Sequence, residues 1–101
     1  MSHKIVYSEQ AKQDLEQLTY DLTLFVGMTK ALQFIQKILH KISLLEDFAE
    51  MGRMRDDGTE TREIFVEKYR IVYLIQQNQL LIVTVLHSRM LYPRELAENY
   101  N

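Results

Sequence analysis

The stretch from Thr61 to Arg89 constrains the fold of this chain more than any other. It reads TREIFVEKYRIVYLIQQNQLLIVTVLHSR and holds the densest runs of β-branched and aromatic residues, interrupted at Glu67-Lys68 and at Gln77-Asn78. Such runs favour strands, and connections this short force consecutive strands to pair antiparallel. We therefore predict a three-stranded meander whose middle strand, Tyr69 to Ile75, is apolar on both faces and central in the sheet.

The first part of the chain predicts one short strand followed by two helices. Lys4 to Tyr7 (KIVY) is rich in strand-forming residues, and Ser8 is suited to cap a helix that ends before Gly27. Thr29 is a candidate cap for the second helix. The apolar residues that define the two helical stripes are Ala11, Leu15, Leu18, Leu22 and Phe25, then Ala31, Phe34, Ile35, Ile38, Ile42 and Leu45.

The break between these helices is so short that they should form an antiparallel hairpin covering one face of the sheet. Leu32 and Leu39 widen the second stripe, which predicts deeper burial for the second helix. Residues 46–60 lose the periodicity and form a charged loop. Within it, Arg53 and Arg55 can contact a phosphate or pair with carboxylates. The candidate carboxylates are Asp56, Asp57 and Glu60.

Together these segments predict a single α+β domain over residues 1–101. Its order is β-α-α-β-β-β, with an N-terminal short strand, an antiparallel two-helix hairpin on one face of a mainly antiparallel sheet, and a short C-terminal helix from Pro93.

Composition excludes several classes of protein. The formal net charge of −2 gives no global attraction to nucleic acid, and the absence of cysteine excludes disulfide scaffolds and thiolate metal sites. No apolar run approaches the roughly 20 residues of a membrane span, so we expect a cytoplasmic protein without membrane contact. His3, His40 and His87 lack metal-ligand spacing, and no glycine-rich phosphate loop is present; we predict neither metal nor cofactor.

One group of residue types permits chemistry. His87, Arg89 and Tyr92 follow the end of the last strand, and Arg62 is expected on an adjacent part of the sheet. Arginine stabilises charge that develops on a phosphate, while histidine and tyrosine transfer protons. These four residues are therefore candidate catalytic groups for metal-free RNA cleavage.

The chain resembles the RelE/ParE superfamily of bacterial type II toxins. The resemblance covers nearly the whole chain and rests on the helix SEQAKQDLEQL, on Gly52-Arg53, and on TREIFVEKYRIVYLI with the terminal VLHSRM. It implies a helical hairpin packed on a curved antiparallel sheet. It also implies a cognate antitoxin that lays a helix beside the hairpin and an extended segment near the sheet edge, and that supplies most of the contact with DNA.

The members of the superfamily divide into two branches by their cellular target. RelE-like members cut messenger RNA on the ribosome, whereas ParE-like members poison DNA gyrase by protein–protein contact. The negative net charge and the single sheet lysine, Lys68, favour the ParE branch. The expected target-binding residues are Arg53, Arg55, Arg62, Lys68, Arg70, Arg89 and Met90. The alternatives are a ribosome-dependent mRNA endonuclease that uses Arg62, His87, Arg89 and Tyr92, and a non-toxic member that serves as a scaffold or co-repressor.

Overall fold

The computed structural model describes residues 2–88. In chain order its elements are β1 (Lys4–Tyr7), α1 (Glu9–Val26), α2 (Met28–Ser43), two short 3-10 turns (Leu44–Glu46 and Ala49–Met51), β2 (Arg53–Met54), β3 (Arg62–Val66), β4 (Tyr69–Ile75) and β5 (Gln79–His87). The predicted α+β class and order are confirmed. The C-terminal helix predicted from Pro93 lies outside the described residues.

The strands form one five-stranded sheet in the order β1-β5-β4-β3-β2. β3, β4 and β5 make the predicted antiparallel meander, with β4 at its centre, and β1 pairs with β5 in parallel. The loop predicted over residues 46–60 differs from expectation, because it contributes the two-residue edge strand β2. A strand this short carries no readable alternation, which is why periodicity missed it.

The helical hairpin begins with a side-chain cap, as predicted. The Ser8 hydroxyl accepts a hydrogen bond from Ala11 N at 2.9 Å and donates one to Val83 O at 2.7 Å, so it joins α1 to β5. The predicted cap at Thr29 is wrong. Gly27, with a φ of 88°, is the entire connection, and Met28 is already helical.

The main core lies between the hairpin and the sheet. α1 and α2 contribute Ala11, Leu18, Ile38 and Ile42, and the sheet contributes Ile64, Val66, Ile71, Tyr73, Leu80, Ile82 and Val85. α2 has three buried residues against two in α1, in line with the deeper burial predicted for the second helix. Leu32 and Leu39, which widen its stripe, nevertheless remain 48% and 40% exposed. Each lies one residue beyond Ala31 or Ile38, a rotation of about 100° that turns the side chain away from the sheet. Phe25 is also exposed, at 88%.

The sheet face away from the helices has its own small apolar cluster. Val72, Leu74 and Val83 are buried there, with Leu81 packed against them. Val72 pairs with Thr84 but Tyr73 pairs with Ile82, so β5 contains a bulge at Val83. Within residues 2–88 no helix is both long and apolar enough to cross a membrane.

Tyr73 fixes the segment that joins the hairpin to the sheet. Its buried hydroxyl donates to Ala49 O at 2.7 Å and accepts from Gly52 N at 2.8 Å. Burial raises the pKa of this phenol above its ordinary value, against the opposing effects of the Gly52 hydrogen bond and the Arg62 charge. The hydroxyl therefore stays protonated at neutral pH and keeps both bonds.

Gly52 is required by space rather than by backbone conformation. A Cβ on Gly52 would lie 2.5 Å from the Tyr73 hydroxyl and 2.8 Å from Glu63 O. Real Cβ atoms do not approach other atoms so closely. The chain can pass between Tyr73 and β3 here only without a side chain.

We expect Gly52→Ala to destabilise the fold by about 1–3 kcal/mol, because the methyl group overpacks this contact. Chemical denaturation of the two proteins measures the difference. In a Tyr73→Phe background the nearest oxygen is gone, so the same substitution should cost less. A Gly52→Ala protein as stable as the parent would contradict the close approach.

Candidate functional site

Three arginines meet on one glutamate at the sheet face away from the helices. Glu63 on β3 is opposite Arg53 on β2, and Arg70 on β4 is its diagonal neighbour. Arg53 Nη2 lies 2.8 Å from Glu63 Oε1, and Arg55 Nη1 lies 2.8 Å from Oε2. Arg70 Nη1 lies 3.5 Å from the same Oε2. Glu63, Arg53, Arg55 and Arg70 thus form one ion cluster, which we call the Glu63 cluster.

The members of the cluster differ in burial. The Glu63 side chain is 4% exposed, those of Arg55 and Arg70 are 10% and 15% exposed, and that of Arg53 is 79% exposed. A carboxylate as buried as Glu63 is tolerated only when it is paired and hydrogen-bonded. Arg53 alone combines a bond to Glu63 with wide access to solvent.

Asp57 completes the charge pattern. Its Oδ2 accepts from Arg55 Nε at 3.0 Å. Burial raises the pKa of Asp57, but hydrogen bonds from Thr59 and Arg55, together with the Arg55 charge, outweigh that effect and hold the pKa below its ordinary value. Asp57 is therefore ionised at neutral pH. A concavity of about 490 Å³ opens here, lined by Arg53, Met54, Arg55, Asp56, Asp57, Glu63 and Arg70.

Of the two roles left open for the loop arginines, the structure shows pairing with carboxylates. Arg55 pairs with Asp57, one of the expected partners, whereas Arg53 pairs with Glu63. The principal partner, Glu63, was missed. A glutamate in a strand is normally read as solvent-facing, and nothing in the sequence indicated that residues 53–54 would pair with β3 and bury it.

Arg62 lies on the opposite face of β3 from the Glu63 cluster, because successive side chains along a strand point to opposite faces and Arg62 precedes Glu63. Its Nη1 donates to Gly52 O at 2.9 Å and to Glu50 O at 3.4 Å. The guanidinium thus helps to hold the segment that Tyr73 also fixes. Lys68 lies exposed in the turn between β3 and β4.

The structure does not bring Arg62 and His87 together. Arg62 pairs with Tyr73, which pairs with Ile82, whereas His87 lies further along β5 opposite Tyr69. Because Tyr69 lies four residues from Tyr73 along β4, strand rise and spacing put the two backbones roughly 17 Å apart. The expectation of an adjacent Arg62 is therefore corrected: the two residues lie towards opposite ends of the sheet. Arg89, Met90 and Tyr92 lie outside the described residues.

His87 packs in a mixed environment at the end of β5. Its ring is 5.4 Å from that of Tyr69 in an edge-on arrangement. A hollow of about 340 Å³ is lined by these two rings, Val85, Leu86 and the α1 residues Asp14, Gln17, Leu18 and Asp21. Asp14 accepts hydrogen bonds from Val85 N at 3.0 Å and from the Thr84 hydroxyl. The Asp14 carboxylate thereby supplies hydrogen-bond acceptors to β5 beyond Ile82, where its pairing with β1 ends.

An apolar groove adjoins this hollow and shares Tyr69 with it. It measures about 520 Å³ and is lined by Leu22, Val26, Phe34, Glu67, Lys68 and Tyr69. Large apolar side chains around the hairpin turn are also exposed, namely Tyr20, Leu24, Phe25, Val26, Met28 and Leu32. An apolar groove with further large apolar side chains exposed nearby is typical of a surface that binds another macromolecule. Of these exposed side chains, only Phe25 belongs to a predicted helical stripe and Leu32 widens one, so the stripes did not predict the rest.

Within residues 2–88 no three His, Asp or Glu side chains are grouped in a way that can hold a metal ion. The histidines described here lie apart, and the carboxylates of the Glu63 cluster are engaged by arginines.

Comparison with known proteins identifies the fold and the family. The family model described as the ParE toxin of the type II toxin–antitoxin system parDE matches residues 5–92. The chromosomal ParDE system from P. aeruginosa has a solved structure that superposes with a TM-score of 0.75 at 18% identity, over 85% of this chain and 96% of that chain. The RelBE2 toxin–antitoxin complex from Mycobacterium tuberculosis superposes with a TM-score of 0.55 at 18% identity, over 86% and 99%.

No curated protein matches the sequence. The two structural similarities, both at low identity, show the shared fold. The family model spans most of the chain, from β1 to beyond β5, and its match confirms the predicted branch of the superfamily. This chain therefore belongs to the ParE toxin family of type II toxin–antitoxin systems.

Proposed function

We propose that this chain is a toxin that inhibits DNA gyrase by protein–protein contact and is neutralised by a cognate antitoxin. The observation that carries the choice of a protein target is the Glu63 cluster. Its arginines are engaged by Glu63 and Asp57 instead of forming an electropositive surface. Ribosome-docking nucleases need exposed positive charge, because phosphate contacts dominate affinity for nucleic acid.

The same face has the character of a protein interface. Arg53 is largely exposed at its rim, and Phe65, on the same side of β3, is 46% exposed. Arginine and aromatic residues are enriched where proteins meet. Arg53, Arg55, Lys68 and Arg70 therefore remain our proposed target-binding residues, with Arg62 towards the other face and with Arg89 and Met90 beyond the described residues.

The placement of the candidate catalytic groups agrees with this choice. General acid–base catalysis needs its groups within hydrogen-bonding reach of one reacting site. Arg62 lies far from His87 and is bonded to backbone carbonyls of the preceding loop. The bonds that hold Arg62 on the loop, away from His87, therefore favour a protein target over joint action of these two residues on one phosphate.

The apolar groove is the proposed antitoxin site. Leu22, Val26, Phe34 and Tyr69 form a surface that suits an amphipathic helix presenting apolar residues at helical spacing. The groove lies beside the hairpin, where the family resemblance places the antitoxin helix. Covering it would also bury the exposed part of Val26.

Expression of the chain without antitoxin in a bacterial host tests the target. We expect growth arrest with induction of the SOS response and with DNA breaks covalently linked to gyrase. Transcripts should remain uncut. The measurement follows an SOS reporter, gyrase-linked DNA and messenger RNA integrity in the same culture.

Rapid cleavage of transcripts at the ribosomal A site, without DNA breaks, would contradict the proposal and favour a nuclease. Absence of growth arrest from a folded, expressed chain would favour a non-toxic scaffold or co-repressor. A host whose gyrase is resistant to the toxin serves as the control. It should escape growth arrest only if gyrase is the target.

Val26→Lys tests the antitoxin groove. Val26 lines the groove and is 48% exposed, so a lysine should disturb binding more than folding. We expect affinity for the small protein encoded beside the toxin gene to fall about 30-fold, as for loss of an interface anchor. Isothermal titration calorimetry with the purified chain measures this affinity.

Leu39→Lys is the matched control, because Leu39 is a 40% exposed leucine on α2 that does not line the groove. It should bind the antitoxin as the parent does. Equal losses in both variants would remove the groove as the site, and so would a Val26→Lys protein with unchanged affinity.

A further inference from the structure

The Glu63 cluster has the geometry of an oxyanion site that is already filled. Guanidinium groups from β2, from β4 and from the loop after β2 converge on one carboxylate. Arginine groups arranged around a single anion also suit a phosphate, since both oxyanions accept paired N–H donors at similar distances. In this chain the anion is a side chain.

Both Glu63 oxygens are used. Oε1 accepts from Arg53, and Oε2 accepts from Arg55 and faces Arg70. Asp57 Oδ2 also accepts a hydrogen bond from Arg55 Nε. Each of the three guanidinium groups therefore has a carboxylate partner, and the positive charge of the cluster is largely neutralised before any ligand arrives.

We infer that Glu63 is the residue that keeps nucleic-acid phosphate off this face of the sheet. A phosphate that took over the arginines would leave a nearly fully buried carboxylate without its partners, and that is unfavourable. A phosphate that approached with Glu63 still paired would meet a like charge at close range. Either route opposes the binding of a polyanion.

This inference goes beyond the proposed function and does not depend on gyrase. It concerns which class of macromolecule the face accepts, and it is measured on the purified chain with RNA. The gyrase proposal can fail while this one stands. If this one fails, the choice of a protein target loses the support of the Glu63 cluster, but the gyrase measurements themselves are unaffected, so the two failures are distinguishable.

Glu63→Gln tests it. Glutamine has nearly the same shape and keeps one oxygen acceptor for the arginines, while the negative charge is removed. We expect its affinity for a fluorescein-labelled single-stranded RNA to rise about tenfold over the parent at about 50 mM salt, and the gain to shrink at about 200 mM. Fluorescence anisotropy measures both.

Glu67→Gln is the matched control. It makes the same change in net charge at an exposed residue that pairs with Lys37, away from the cluster. It should bind RNA as the parent does. Adding Arg53→Gln to Glu63→Gln should return the affinity towards that of the parent, because Arg53 is the exposed member of the cluster.

Two outcomes would overturn the inference. One is a folded Glu63→Gln chain that binds RNA no more tightly than the parent; the other is an equal gain in Glu67→Gln, which would reflect net charge alone. If Glu63→Gln does not fold, Arg53→Gln is compared with the parent at about 50 mM salt. Because Glu63 already holds Arg53, removing this 79% exposed arginine should leave the RNA affinity within about twofold of the parent's. A loss of about tenfold would overturn the inference, since Arg53 would then contact phosphate with Glu63 in place.

Discussion

The contact between Tyr73 and Gly52 is the constraint on which the sheet face that carries the Glu63 cluster depends. The phenol hydroxyl bridges Ala49 O and Gly52 N, and the absence of a side chain at residue 52 lets the chain pass against β3. The next residue, Arg53, begins β2. The core side of the sheet therefore determines where the arginines on its other side lie.

The position of β2 then determines which charged side chains meet. β2 pairs with β3, so Arg53 lies over Glu63, and Arg55 follows close enough to reach both Glu63 and Asp57. Arg70 joins from β4 through the register of the meander. The three arginines thus become part of a nearly neutral surface. Counting arginines in the sequence would overestimate its attraction for nucleic acid.

The fold was largely predictable because its signals are local. The alternation in Tyr69 to Ile75 and the cap at Ser8 are each contained within a few residues, and the structure confirms both. What failed depended on distant partners. The exposure of Leu32 and Leu39 follows from how much of α2 the sheet can cover, and that was not readable from α2 itself.

The candidate site was predicted less well for the same reason. Arg53, Arg55 and Arg70 were identified as residue types, but their common partner was not, because Glu63 is buried only through strand pairing. Arg62 and His87 were expected together because both belong to the sheet. Register, which the sequence did not specify, separates them.

We propose that this ParE family member acts on a protein target. Adding the purified chain to purified gyrase and following DNA supercoiling tests it most directly. We expect loss of supercoiling with accumulation of cleaved DNA bound to gyrase, and reversal by the antitoxin. Unimpaired supercoiling, together with cleavage of messenger RNA on purified ribosomes, would contradict it.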